Sequence, residues 1–141
     1  FPMVAARCSC GALRLTLREP AKFAIACHCL ECQRRTGAPF GVGAFYPIDT
    51  VIVAGVARKF TRDAASGGKV HTYFCPDCGS TLYWQAENLA SLIGVAVGAL
   101  DDPTKCPAPA RSIFERSKHA WAQIDGAVEH LQHGSAAIRS S

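Results

Sequence analysis

Seven of the eight cysteines in this chain fall into three short clusters, and their spacing limits what it can fold into more than any other feature. The clusters are Cys8-Ser9-Cys10, Cys27-His28-Cys29-Leu30-Glu31-Cys32 and Cys75-Pro76-Asp77-Cys78, while Cys106 stands alone. A Cys-x-x-Cys loop lets two sulfurs face one ion, and a glycine just after it can take the positive φ that aims backbone N–H groups at thiolates. Cys75-Pro76-Asp77-Cys78-Gly79 has that form. Cys8 and Cys10, also followed by a glycine, Gly11, offer the two further sulfurs that a closed tetrahedral site needs. The expectation is a four-thiolate site that clips the start of the chain to its middle. Structural zinc in small modules contributes ~10–16 kcal/mol of apparent binding free energy, enough to decide whether such a domain folds.

The middle cluster has different chemistry. Three thiolates within six residues, Cys27, Cys29 and Cys32, can converge on one ion and leave its fourth position open for water or a substrate atom. Three thiolates on zinc leave a net negative charge, which Arg34 and Arg35 can offset, so a substrate thiol is a suitable guest. A competing reading is a second structural zinc with His28 or Cys106 as the fourth ligand. His28 lies between two ligands in an extended segment and is expected to turn away from the metal. Cys106 is expected to be a loop thiol, and His71, His119, His130 and His133 have no partner at metal spacing.

A chain of 141 residues fits one domain. Its hydrophobic fraction of 49% and charged fraction of 18% are those of a folded globular protein. Eight cysteines would suit a disulfide framework in a secreted miniprotein, but this chain is larger and shows no export signal, so metal binding in the cytoplasm is expected. The apolar run from Leu92 to Leu100 reaches only about half of the ~18 residues that span a bilayer, and reads as a buried strand. The net charge of +4 is a weak preference for anions. The Cys75–Gly79 loop carries no basic residue or aromatic platform, which argues against nucleic acid.

Leu13, Leu15 and Leu17 alternate with Arg14, Thr16 and Arg18, the period of a half-buried strand. Further strands are expected at Phe23–Ala26, Val42–Tyr46, Thr50–Val53, Ala57–Thr61, Val70–Phe74, Thr81–Gln85, Leu92–Val97 and Ser112–Phe114. Val70–Phe74 and Thr81–Gln85 flank the second knuckle like a hairpin, the shape of a zinc ribbon. Leu30–Thr36, stopped by Gly37, is the one internal helix expected. Ser66, Gly67 and Gly68 read as a flexible turn. Asp101 and Asp102 read as a turn before Pro103. Beyond Trp121 the chain is polar and expected to fray, which gives a single zinc-binding domain over 1–122 and a partly disordered tail over 123–141.

From about Arg7 to Trp121 the chain resembles the glutathione-dependent formaldehyde-activating enzymes, a family that includes the domain of centromere protein V. The resemblance rests on Arg7-Cys8-Ser9-Cys10-Gly11-Ala12, on Cys27 through Gly37, on Phe74-Cys75-Pro76-Asp77-Cys78-Gly79-Ser80 and on Gly98-Ala99-Leu100-Asp101-Asp102-Pro103. It implies a mainly β architecture, the β-tent fold of small antiparallel sheets. It implies one structural zinc on Cys8, Cys10, Cys75 and Cys78, and a second on Cys27, Cys29 and Cys32 as the catalytic centre. It also implies carbon–sulfur lyase chemistry that joins formaldehyde to glutathione as S-(hydroxymethyl)glutathione. On that reading Arg34 and Arg35 grip glutathione carboxylates. The alternative is a non-catalytic zinc module that binds protein or nucleic acid, as the centromere relative suggests.

Overall fold

The structure is a computed structural model that describes residues 1–65 and 67–134. In chain order its elements begin with β1 (Val4–Arg7), β2 (Arg14–Leu17), β3 (Phe23–Cys27), the helix α1 (Leu30–Thr36), β4 (Gly41–Pro47), β5 (Val51–Ala54) and β6 (Arg58–Asp63). There follow β7 (Lys69–Phe74), β8 (Thr81–Ala86), β9 (Leu92–Ala96), β10 (Arg111–Ile113) and β11 (Glu129–His130), with short 3-10 turns between several of them. The chain is therefore mainly β with one short α-helix among the described residues, as expected.

Strands β1, β2 and β5 form a three-stranded antiparallel sheet, and the others form an eight-stranded sheet in the order β11-β10-β3-β4-β9-β8-β7-β6. That larger sheet is antiparallel except at one end, where β10 runs parallel to both β3 and β11.

Alternation along the central strands separates two environments. On β3 and β4, Ala24, Ala44 and Tyr46 join the core, together with Leu13, Leu15 and Leu17 from the smaller sheet's side and Leu82, Ile93 and Val95 from β8 and β9. The intervening residues Ile25, Cys27, Gly41, Gly43 and Phe45 face a cavity on the opposite side. Successive side chains point to opposite faces of a strand, so one period-two pattern builds both the core and the floor of a site.

Two strands were not anticipated. In β1 the run Val-Ala-Ala-Arg mutes the alternation, yet Val4 and Ala6 are buried against Leu17 and Leu15 of β2. The β11 segment falls where fraying was expected. Its Glu129 and His130 pair with Arg111 and Ser112 of β10, and the Leu131 N–H donates to the Ser112 carbonyl at 2.9 Å. Such pairing depends on an edge presented far away in sequence, which a polar segment does not announce. Ser66 of the expected turn and residues 135–141 of the expected tail lie outside the described residues.

Candidate metal centres and an adjoining cavity

The first two sulfurs sit in the turn between β1 and β2, and the Cys75 and Cys78 pair sits in the turn between β7 and β8. The two turns are built alike. In each, the backbone N–H of the first cysteine donates across the turn at 3.0 Å, Cys8 to Leu13 and Cys75 to Ser80. In each, the glycine after the second cysteine has a φ of 80° and returns its N–H to the first cysteine's carbonyl, Gly11 to Cys8 and Gly79 to Cys75. Only glycine takes that φ without strain. The Ser9 and Ser80 hydroxyls, 3.1 Å apart, tie one turn to the other.

The four sulfurs of Cys8, Cys10, Cys75 and Cys78 lie within 4.8 Å of one another. Cys8 and Cys10 are 3.7 Å apart, and Cys10 and Cys75 are 3.6 Å apart. A Zn–S bond of about 2.3 Å puts sulfurs roughly 3.8 Å apart around a tetrahedron, whereas a disulfide needs about 2.05 Å. All eight cysteines are free thiols. The donor set and its spacing fit a metal ion and are consistent with zinc.

The second cluster forms where β3 runs into α1. Cys27 ends the strand, Cys29 caps the helix with its sulfur accepting the Cys32 N–H at 3.3 Å, and Cys32 follows one turn later. Helix capping and the i,i+3 spacing therefore turn both sulfurs toward the strand end. The three sulfurs lie within 4.8 Å of one another, and no other histidine, cysteine or carboxylate among the described residues completes the group.

Neither of the two suggested fourth ligands joins the trio. His28 is fully buried, with its Nε2 2.8 Å from Ser112 Oγ, and its ring packs beside Phe40. Cys106 packs against the core and its thiol donates to the Pro107 carbonyl. Gln33 fixes the loop by donating to the carbonyls of both His28 and Ser117, at 2.9 and 3.0 Å.

Electrostatics within the trio call for a cation. Hydrogen bonds from the Cys27 and Cys32 thiols pull Cys29 down to about 2, with burial opposing them. Hydrogen bonds with Cys29 and Cys32, and burial, push Cys27 far up. At Cys32 the Cys27 hydrogen bond lowers the thiol, but Cys29 and burial outweigh it and push it up to about 11. The neighbouring sulfurs thus oppose ionisation of all three together, and three adjacent thiolates would need a positive ion among them.

The trio opens onto a cavity of about 780 Å³ floored by the larger sheet. Arg34 and Arg35 both line it, in different settings. Arg34 is exposed and paired with Glu31 at 3.0 Å. The Arg35 guanidinium lies 4.4 Å above the Trp84 ring. Trp84, Arg62, Arg116 and Phe114 also line the cavity, and the sequence reading missed them. Phe114 has a φ of 55°, a left-handed conformation rare for a bulky residue and often found at functional sites. A second cleft of about 790 Å³ runs beside Cys8 and Cys78, and Arg35 lines that one too.

Asp101 pairs with Arg7 at 3.7 Å, and Asp102 caps the turn at Pro103, so the acidic pair has the turn role expected of it. His71, His119 and His130 each have a surface partner, respectively Thr61, Gln33 and Glu115.

No helix among the described residues is long and apolar enough to cross a membrane. No curated protein matches this chain. A crystal structure of a Rhodobacter sphaeroides protein is similar, with a TM-score of 0.54 and 21% identity over 71% of this chain and 92% of that one. At that identity the likeness concerns the fold alone. The sequence profile described as glutathione-dependent formaldehyde-activating enzyme matches residues 3–117, which take in both cysteine clusters and most of the cavity wall. This chain belongs to that family.

Proposed function

We propose that this chain is a zinc-dependent carbon–sulfur lyase that joins an aldehyde to a thiol, with glutathione as the thiol and S-(hydroxymethyl)glutathione as the family product. The observation that carries the reading is the convergence of Cys27, Cys29 and Cys32 at the wall of a cavity, with no fourth protein ligand among the described residues. Zinc held by these three sulfurs would bind a substrate thiol and stabilise it as the thiolate. In this reading Cys8, Cys10, Cys75 and Cys78 hold a second, structural zinc that joins the β1–β2 and β7–β8 turns.

Magnitudes assign most of the remaining work to the protein. A thiol of pKa about 8.5 is already a few per cent thiolate at pH 7, so complete deprotonation gains only ~30-fold. Larger acceleration must come from holding the aldehyde beside the sulfur. In this reading the Arg35 guanidinium, steadied on Trp84, and the exposed Arg34, both of which line the cavity, receive glutathione carboxylates. The sulfur adds to the carbonyl carbon, the C=O electron pair moves to oxygen, and the thiol's proton ends on the new hydroxyl by way of solvent.

A reducing, cytoplasmic setting belongs to the proposal, because it keeps eight cysteines available as thiols. A non-catalytic zinc module is less well supported, since a cavity at the trio suits a small molecule better than a macromolecular surface. Exchange spectroscopy on formaldehyde and glutathione tests the proposal. The zinc-loaded protein is expected to speed exchange, and Cys29→Ser to abolish the effect. Equal rates with wild type, Cys29→Ser and buffer would remove it.

A further inference from the structure

The cavity is far larger and more apolar than a one-carbon aldehyde requires. Its walls include Ile25, Phe45, Val70, Trp84, Leu89 and Ile113. Its depth comes from two glycines. A Cβ on Gly43 would lie 2.4 Å from Trp84 Cζ2, and one on Gly94 would lie 2.3 Å from Trp84 Nε1. The indole can therefore lie against β4 and β9, and any larger residue at either position would push it away from the sheet. Phe45 braces it edge-on, with ring centroids 6.3 Å apart at 80°.

Cations outnumber anions around this space. Arg34, Arg62 and Arg116 line the cavity in addition to Arg35, against the carboxylates of Glu31, which pairs with Arg34, and Asp63, so the surplus cationic groups suit the carboxylates of glutathione. The charged ends of that tripeptide have partners at the arginines, Arg35 over Trp84 included, but none along Ile25, Phe45, Val70, Leu89 and Ile113, where they would lose hydration without replacement. Formaldehyde has no hydrocarbon to bury. The floor is left for a hydrocarbon body that only the electrophile can bring.

Resting on the lyase reading above, we propose that the electrophile is an aldehyde with a compact apolar body, aryl-alkyl in size, that lies on the apolar wall beside Trp84, whose outer face Arg35 covers, with its carbonyl toward Cys27, Cys29 and Cys32. The reaction is the addition RSH + R′CHO → RS–CH(OH)R′. The C–S bond forms, the carbonyl π bond breaks, and the thiol proton passes through solvent to the new oxygen, so no oxidant or reductant is consumed. Each buried methylene is worth about fourfold in affinity, and a buried phenyl group about 10- to 100-fold.

Two measurements on the zinc-loaded chain test this. Saturation-transfer NMR with unreactive alcohols compares 3-phenylpropanol with 1-propanol, and exchange spectroscopy with glutathione compares 3-phenylpropanal with formaldehyde. The phenyl alcohol is expected to bind at least 10-fold more tightly. Ala86→Phe, or Ala64→Phe where the first variant folds poorly, is expected to erase that preference by filling the cavity. The phenyl aldehyde is expected to be accelerated at least 10-fold more in kcat/KM than formaldehyde. Equal binding of the two alcohols, or a preference that survives both filling variants, overturns the proposal. Acceleration of formaldehyde alone overturns it too while leaving the lyase reading intact. No acceleration of either aldehyde overturns the lyase reading and this proposal with it.

Discussion

The guanidinium carbon of Arg35 sits 4.4 Å above the centroid of the Trp84 ring, and this contact links the helix that carries two cysteines of the trio to the floor of the cavity. Arg35 follows Cys32 on α1, whereas Trp84 lies on β8 more than forty residues away in sequence. A cation over an indole gains about 0.5–2 kcal/mol, depending on how far it is desolvated.

Arg35→Ala is therefore expected to lower stability by about 1 kcal/mol and to raise KM for glutathione by about 10-fold, with a smaller effect on kcat. Arg35→Lys keeps the charge but loses the planar fork, and should fall between the two. Urea unfolding and steady-state kinetics on the same preparations check both effects. A change in kcat alone would speak against a binding role.

Gly94→Ala tests how the cavity is made. The new Cβ would meet the indole at 2.3 Å, inside any van der Waals contact. Overpacking of this kind costs about 1–3 kcal/mol. The expected result is a lower urea midpoint together with altered Trp84 fluorescence, because the ring must move away from the sheet.

Ligand removal should act differently at the two clusters. Cys78→Ser opens the four-sulfur group that joins two distant turns, and is expected to abolish cooperative unfolding, as loss of structural zinc does in small domains. Cys29→Ser should keep the far-ultraviolet circular dichroism of the wild type while zinc content falls from about two ions per chain to about one. Metal analysis alongside circular dichroism separates these outcomes. Unfolding by Cys29→Ser would show that the trio, too, is structural.

Acid sensitivity has a local source at Glu115. Burial raises this carboxyl, but hydrogen bonds from His130 and Ser112 outweigh it, so it titrates below its ordinary value of 4.5. The His130 Nδ1 to Glu115 Oε2 distance is 2.7 Å. A carboxyl depressed in the folded state adds stability above its unfolded pKa, and that stability is lost as pH falls through the folded value. Wild type should therefore lose more stability below about pH 4.5 than Glu115→Gln does. Denaturant titrations at pH 7 and in that acidic range measure the difference, and subtracting the variant cancels acid release of metal common to both.

Much of the shape of the cysteine turns was legible in the sequence because it is local. Cysteines two or three residues apart, each pair closed by Gly11 or Gly79, can form the same knuckle in any surroundings that leave the turn intact. The helix Leu30–Thr36 was legible for the same reason, since its cap and its stop at Gly37 are neighbours in the chain. The strand at β2 was readable from three alternating leucines.

The cavity was not legible, and neither were β1 and β11. Trp84 could be read only as one more aromatic in a strand until the register placed it opposite Gly94 of β9 and above Gly43 on the next strand. A slip of one residue would turn it to the core face. Arg62, Phe114 and Ile113 reach the same space from segments with no shared motif.

The amino-acid order by itself thus determined which sulfurs share a turn and how each turn is shaped, because backbone geometry over a few residues settles both. Only the tertiary structure decided what those sulfurs face, because that depends on which distant strands pair, and in what register.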